Sequence, residues 1–464
     1  MSPRSSLAAL GPDEAPRWDA LHVVVAGAGV TGTAVAETLQ SLGASVSVVD
    51  RSLGGDTDLP SGVDLVVVSP GWRPDAPLVA AAEAAGVPVW GEVDLAWRLR
   101  GPGAGPWLVL TGTNGKTTTV RMLEAMLRAD GRRAIAAGNV GTPIVEAVVR
   151  HPDHDVLALE LSSFQLHRST VMRPLASAVL NVAPDHLDWH GGFDAYAAAK
   201  GRAFERVTGF GVYNVQDATT QRLLRAADVA PGCRAVGFTL GAPALGEVGV
   251  VEDLLVDRAF GTDRATHGVE LAEVTDVLPA APHNVANALA AAALARAAGV
   301  RAGSVRQGLG DFVAEPHRMA LVATADGVDW VDDSKATNAH AAAASLATYD
   351  RVVWVAGGLA KGAEFDELVA GAARRLVAVV LLGTDRDRIA QALARHAPDV
   401  PVVDVDAPDT DPVELMGRAV SAAATYARAG TTVLLAPACA SMDRFRDYHQ
   451  RGEAFAEAVA RQLA

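Results

Sequence analysis

Short apolar runs of four to six residues alternate with amphipathic or Ala-rich stretches along most of the chain. LHVVVAGAGVTGTAVAETLQSLGASVSVVD predicts strand, glycine turn, helix and strand, SGVDLVVVSPGW a further strand and turn, and GVPVW another strand. GPGAGP at 101–106 predicts a linker, because two Pro and three Gly in six residues cannot continue an element. WLVLTG, AIAAG, VLALELSS and ASAVLNV then predict short buried strands of a parallel sheet. A helical stretch is expected from Thr119 to Leu127, and APHNVANALAAAALARAAG predicts a helix with Asn284 near its start and Gly299 at its end. VDWVDDS, RVVWVAGG, AVVLLG, PVVDV and TVLLAPA predict a third strand-rich module. The expectation is an α/β protein of three domains: a mobile leader at 1–18, a Rossmann-like domain at 19–104, a central P-loop ATPase-like parallel sheet at 105–314 and a C-terminal Rossmann-like domain at 315–464.

Composition narrows the function classes. A chain of 464 residues, half of them apolar, is too long for one ordinary domain and rich enough for several cores. With 40 Lys+Arg against 54 Asp+Glu the net charge is −14, which argues against nucleic-acid or anionic-membrane partners. Any anionic substrate must be met by local basic residues and helix N-termini. Two cysteines, Cys233 and Cys439, make no disulfide framework and suit a reducing cytosol. No signal-peptide core and no uncharged 18-residue apolar run is present, so a cytoplasmic protein is expected.

The strongest chemical signal is Thr111-Gly112-Thr113-Asn114-Gly115-Lys116-Thr117-Thr118, between an apolar strand and a helix. Backbone amides and the helix N-terminus face an anion there, Lys116 adds a point charge, and Thr117 can hold Mg²⁺. The usual P-loop glycine, with four residues between it and Gly-Lys, is replaced by Leu110, which points away from generic NTPases and towards ATP-dependent amide ligases. Gly27-Ala28-Gly29-Val30-Thr31-Gly32, with Asp50 closing the next strand, matches a dinucleotide fingerprint, or else a structural tight turn. Ser69-Pro70-Gly71 either closes the same crevice or is an ordinary turn.

Other candidates carry bland alternatives. Glu160 ends a buried strand, where a buried carboxylate needs a partner such as Mg²⁺; the alternative is a surface Glu paired with Arg. Asp185-His186 follows another strand and fits a metal or anion site, although a lone His is usually structural. Lys200, by its spacing in FDAYAAAKGRAFE, reads as a solvated helix lysine. Asn284 and Asn287, three apart, present two amides to an adenine edge, or one of them caps the helix. His317-Arg318 and Asp332 to Asn338 open the third module, with Asp333 suited to ribose and Arg318 and Lys335 to phosphate, or with all of them in a solvated charged turn.

Taken together, TGTNGKTTT, ELSSFQL, NVAPDHLDWHG, HNVANALA, HR, DDSKATN, AGGLAKG and APACASMDRFRDYHQRGEAF resemble the Mur ligase family of peptidoglycan synthesis, in family order and over residues 23–456. The resemblance implies a ligase that adds D-glutamate to UDP-N-acetylmuramoyl-L-alanine, with ATP converting the carboxylate to an acyl phosphate. It implies that Gly112, Thr113, Asn114, Gly115, Lys116, Thr117, Thr118, Asn284, Asn287, Arg318, Asp333 and Lys335 bind ATP. Thr117, Glu160, His186 and Lys200 would serve two Mg²⁺ sites, with Lys200 carrying a CO₂-derived carbamate. Gly29, Val30, Thr31, Asp50, Arg51, Ser69, Pro70, Gly71, Asn139 and His186 would hold the UDP substrate. Thr337, Lys361, Ser441 and Tyr448 would hold the amino acid. Lys116, Glu160, His186, Lys200, Arg318 and Lys335 form the expected catalytic set, in a monomer. Position 448 departs from the family pattern, being Tyr where many relatives carry Phe, which leaves L-glutamate as a rival substrate. A dinucleotide-binding oxidoreductase built on GAGVTG is the rival of another class; it leaves TGTNGKTT and DSKATN unexplained.

Overall fold

In the N-terminal module, β1 (His22–Ala26), β2 (Ser45–Val49), β3 (Leu65–Val68) and β4 (Val89–Gly91) form a parallel sheet in the order β2-β1-β3-β4. The computed structural model describes residues 7, 10–50, 58–101, 103–150, 153–406 and 410–464, so Arg51 lies outside the described residues. Strand β3 is buried along its whole length, which is why its run is unbroken Leu-Val-Val-Val. Helix α1 (Val30–Ser41) starts directly on the turn after β1. A Cβ at Gly32 would lie 1.8 Å from the Gly27 carbonyl oxygen, so only glycine lets the helix close onto that turn.

The central sheet has nine strands. Strands β5 (Trp107–Thr111), β6 (Ala134–Gly138), β7 (Val156–Glu160), β8 (Ala176–Val179), β9 (Phe210–Asn214), β10 (Arg234–Phe238), β11 (Glu247–Val251), β12 (Leu254–Asp257) and β13 (Val269–Glu273) lie in the order β13-β12-β11-β10-β9-β8-β5-β7-β6. Pairing is parallel from β6 to β11 and antiparallel through β11, β12 and β13. The apolar runs pointed to four of these strands; β9 to β13 are half-exposed and interrupted by Gly or charged residues, so they lack that signal. The helix over Pro282–Ala297 buries Ala288 to Ala295 against one face, its small side chains allowing close approach.

The two N-terminal modules share an apolar core in which Trp18, Trp90 and Trp97 join Trp107, Leu159 and Leu161. Trp97 meets Trp107 edge to face at 4.9 Å. The chain accordingly divides into two compact units, one of Met1–Ala280 with Asn284–Phe312 and one of Ala281–His283 with Val313–Ala464. The expected mobile leader is corrected over residues 10–18. Arg98 Nη1 donates to the carbonyls of Gly11 and Glu14 (2.6 and 3.1 Å), and Trp97 Nε1 and Arg173 Nη1 both donate to Asp13 (3.0 and 3.1 Å). Trp18 is buried in the short 3₁₀ turn that follows. This segment is held because the Arg98 guanidinium is itself buried and needs those carbonyls.

The second unit carries β14 (Ala320–Ala325), β15 (Val328–Asp332), β16 (Val352–Gly357), β17 (Leu376–Leu382), β18 (Val402–Asp404) and β19 (Thr432–Leu435), in the order β14-β15-β19-β16-β17-β18. All pairs are parallel except β14 with β15. Strand β14 is a half-exposed edge strand, and the apolar runs did not reveal it.

Candidate functional site

The phosphate loop lies at the carboxyl end of β5. Helix α2 (Lys116–Ala129) begins three residues before the apolar pattern suggests, because Gly115 sits in the left-handed region (φ 82°) and starts it with no side-chain cap. Its first amides are thereby left for an anion. A Cβ at Gly115 would lie 2.3 Å from Asn287 Oδ1. The loop is braced: the Asn114 N–H donates to Asn181 Oδ1 (2.9 Å), Asn181 Nδ2 donates to the Asn114 carbonyl (3.1 Å), and Thr113 Oγ1 lies 2.9 Å from the Tyr196 hydroxyl. Lys116 Nζ folds back on the carbonyls of Gly112 (3.0 Å) and Thr113 (2.9 Å). Thr117 and Thr118 are buried beneath it.

Lys200, on the helix Phe193–Gly201, is only 2 % exposed, so the solvated-lysine reading fails. Its Nζ donates to the same Gly112 carbonyl at 2.7 Å and lies 4.7 Å from the Tyr196 ring centre. Burial, then repulsion from Lys116, drives the amine pKa well below its ordinary value; Asp185 and Glu160 oppose this only in part.

Glu160 ends β7 and is also buried, with no Arg partner among the described residues, so the surface-pair alternative fails too. Its Oε1 accepts from Asn139 Nδ2 (2.9 Å), while Oε2 is buried with no hydrogen-bond partner among the described residues. His186 is left-handed (φ 51°), with its ring 4.8 Å from Phe164. Among the described residues no three His, Cys, Asp or Glu side chains converge as a metal cage. The free Glu160 oxygen and the Thr117 hydroxyl are nevertheless the hard oxygen donors that Mg²⁺ prefers when substrate phosphates and water complete its shell.

Asn284 and Asn287 are both buried on one face, with Asn287 Nδ2 donating to Asn284 Oδ1 (3.3 Å). The helix starts earlier, at Pro282, so Asn284 is no N-cap. At the N-terminal sheet, Asp50 Oδ2 accepts from the Ala28 N–H (2.8 Å) and pins the glycine turn. Gly29 caps α1, Val30 is 76 % exposed, Thr31 is half-buried, and the buried Ser69 Oγ has no partner among the described residues. Ser69, Pro70, Trp72, Glu92, Phe164 and Trp189 line one cleft, with Gly71 in the turn between Pro70 and Trp72.

In the second unit Asp332, Asp333 and Ser334 are buried, which removes the solvated-turn reading. Asp333 accepts from the Met319 N–H (3.3 Å) and from Ser345 Oγ, and burial pushes its pKa up to about 6. Lys335 Nζ lies 3.6 Å from the Tyr448 ring centre. Arg318 pairs with Glu315 (3.5 Å). Ser441 is buried, Thr337 half-buried, and Lys361 exposed with φ 49°.

Tyr196, Asn181 and Glu92 were not singled out from sequence. Tyr196 stands four residues before Lys200, a helical spacing that would have paired them. Glu92 accepts from the Ile144 N–H (2.7 Å) and tethers the helix that follows the Asn139 loop; no sequence signal marks that pairing.

A glycine turn at the carboxyl end of a parallel strand, with two lysines on one of its carbonyls and the free amides of a helix beside it, is an arrangement suited to nucleotide phosphate. Residues 110–295 match the Mur ligase middle domain and residues 317–439 the Mur ligase glutamate ligase domain. The chain is 58 % identical over 462 residues to the UDP-N-acetylmuramoylalanine--D-glutamate ligase of Streptomyces avermitilis, covering 95 % of this chain and 98 % of that one. It is 57 % identical to the ligase of the same name from Thermobifida fusca, over 94 % and 98 %. The MurF ligase of Thermotoga maritima, solved with ADP, shares the fold at TM-score 0.57 and 17 % identity, over 95 % of each chain. The chain belongs to the Mur ligase family.

Proposed function

We infer that the protein is an ATP-dependent amide ligase joining D-glutamate to UDP-N-acetylmuramoyl-L-alanine in peptidoglycan precursor synthesis. The observation that carries the chemistry is the convergence of Lys116 and Lys200 on the Gly112 carbonyl at the head of the phosphate loop. The substrate pair rests on the names of relatives that match nearly the whole chain.

A carboxylate is a poor acyl donor, so it must take the γ-phosphoryl group of ATP before an amine can displace phosphate through a tetrahedral intermediate. The amides at the start of α2 and Lys116 would hold the β- and γ-phosphates, and Lys116 must swing off its two carbonyls to do so. Mg²⁺ would neutralise developing phosphoryl charge, with Thr117 and the free Glu160 oxygen as donors and His186 and Lys200 serving a second site. A bare ammonium repels a cation, whereas a carbamate on Lys200 supplies oxygens. Carbamylation needs neutral amine. From an ordinary pKa near 10.4, the neutral form costs about 4–5 kcal/mol at pH 7, and the burial of Lys200 lowers that cost.

Asn284, Asn287 and Asp333 would face adenosine, and Arg318 and Lys335 the phosphates. Gly29, Val30, Thr31, Asp50, Arg51, Ser69, Pro70, Gly71 and Asn139 would hold the UDP substrate. Thr337, Lys361, Ser441 and Tyr448 would hold the glutamate carboxylates. Among the described residues no helix is long and apolar enough to cross a membrane. A cytoplasmic monomer is the proposal, in keeping with the soluble nucleotide substrates.

The test is phosphate release from ATP and Mg²⁺ with UDP-N-acetylmuramoyl-L-alanine and D-glutamate, L-glutamate or no amino acid. Release with the matching dipeptide mass only for D-glutamate supports the proposal. A preference for L-glutamate keeps the chemistry and overturns the specificity, and no turnover in folded protein overturns both.

A further inference from the structure

In the second unit three neighbouring strands, β19, β16 and β17, each run at their carboxyl ends into a loop. The loop after β16 carries Lys361 and the loop after β19 carries Ser441, two of the groups that the proposed function gives to glutamate. The loop after β17, at 383–385, carries neither, yet it is bonded to both of the others. Asp385 brackets the first: its N–H donates to the Gly358 carbonyl (2.9 Å), and its Oδ2 accepts from the Ala360 N–H (2.7 Å). Asp443, two residues past Ser441, accepts from the Thr384 N–H (2.7 Å). Leu359 and Ala440 exchange a pair of backbone hydrogen bonds (2.9 and 3.0 Å), which joins the other two loops directly.

Asp385 is the informative side chain. It stands at the N-cap of the helix Arg386–His396, where an aspartate ordinarily accepts from the first amides of its own helix, and it makes no such bond. Its carboxylate turns instead to Ala360, the residue before Lys361. Lys361 has a left-handed backbone (φ 49°) and an exposed side chain. A residue with a Cβ keeps that conformation only where its surroundings fix it. A bond from an amide to a carboxylate is of the strong, charge-assisted kind. The β16–β17 pairing and the Leu359–Ala440 pair do not depend on it, so its loss should act on the Lys361 loop and leave the sheet in place.

We propose that Asp385 is a positioning residue for the amino-acid site: by holding the Ala360 N–H it sets where the Lys361 ammonium meets a glutamate carboxylate. The proposal rests on the reading of Lys361 as a glutamate-binding group.

Steady-state phosphate release by the full chain tests this, with D-glutamate, ATP and UDP-N-acetylmuramoyl-L-alanine varied in turn. Asp385→Ala should raise KM for D-glutamate at least tenfold, with kcat and the other two KM values within threefold of the parent. A role confined to folding would lower the active fraction, and so kcat, with all three KM values unmoved. In a Lys361→Ala background Asp385→Ala should change kcat/KM for D-glutamate less than threefold, because the two residues act through one group. An unchanged KM for D-glutamate, a rise shared by all three substrates, or a full tenfold effect in the Lys361→Ala background would overturn the proposal. Where Asp385→Ala does not fold, Asp385→Ser decides: serine keeps a good helix N-cap and is too short to reach Ala360, so the same rise is expected and a parent-like KM overturns the proposal. Absence of D-glutamate-dependent release by the unaltered chain would overturn the functional reading and this proposal with it, and it shows before any variant is compared.

Discussion

Lys116 and Lys200 donate to one acceptor, the Gly112 carbonyl, at 3.0 and 2.7 Å. Two ammonium groups on one oxygen repel each other, and only one of them is buried. Burial and this repulsion both favour loss of the proton from Lys200, whose pKa is driven well below its ordinary value, while Lys116 stays the proposed phosphate-binding cation.

That asymmetry has a pH signature. Because the folded-state pKa of Lys200 is depressed, the unfolded chain holds a proton that the folded chain lacks between that value and the ordinary 10.5. Stability contributed by Lys200 therefore rises with pH across this window and falls as pH drops through it. In CO₂-free buffer, Lys200→Met should show a smaller rise in urea midpoint from pH 6 to 9 than the parent protein. Identical slopes would show that Lys200 is not titrating out of range.

Asn139 fixes the carboxylate that faces the proposed metal, with its N–H on the Glu160 carbonyl (2.8 Å) and its amide on Oε1 (2.9 Å). Asn139→Ala should weaken Mg²⁺ affinity about 10–100-fold. A Mg²⁺ titration of ATP-dependent phosphate release measures this, and an unchanged midpoint would count against Glu160 as a ligand.

Gly115→Ala combines a left-handed backbone, worth about 1–2 kcal/mol, with a Cβ 2.3 Å from Asn287 Oδ1. ADP binding by calorimetry should weaken roughly tenfold or more, since 1.4 kcal/mol is a factor of ten. Equal affinity would mean that the loop relaxes without cost.

Tyr448 holds Lys335 through its ring face. Tyr448→Phe keeps that face and should leave kcat/KM within about threefold, whereas Tyr448→Ala forfeits about 0.5–2 kcal/mol, or roughly 2–30-fold. If Phe costs as much as Ala, the hydroxyl carries the role and the ring contact is incidental.

The leader should matter to stability. Arg98→Met releases the carbonyls of Gly11 and Glu14, for an expected loss of about 1–3 kcal/mol in urea unfolding with little change in KM. No change in midpoint would restore the view of a loose leader.

The sequence by itself determined the α/β class, the glycine-lysine loop, the buried strand ending in Glu160 and the Asn284–Asn287 pair, because local periodicity and turn chemistry write these directly into neighbouring residues. Tertiary structure alone decided the rest. Strands β9 to β13 are as long as their neighbours but half-exposed and broken by Gly or charged residues, so no apolar run announces them, and the sheet continues through them from the pairing of β9 with β8. Lys200 has the spacing of a solvated helix lysine and is buried only because its helix packs Tyr196 and Lys200 onto the Gly112 turn, 88 residues away in the chain. Asp13 has no local reason to be ordered until Trp97 and Arg173 come within reach. Such contacts depend on which surfaces meet, and sequence spacing carries no record of that.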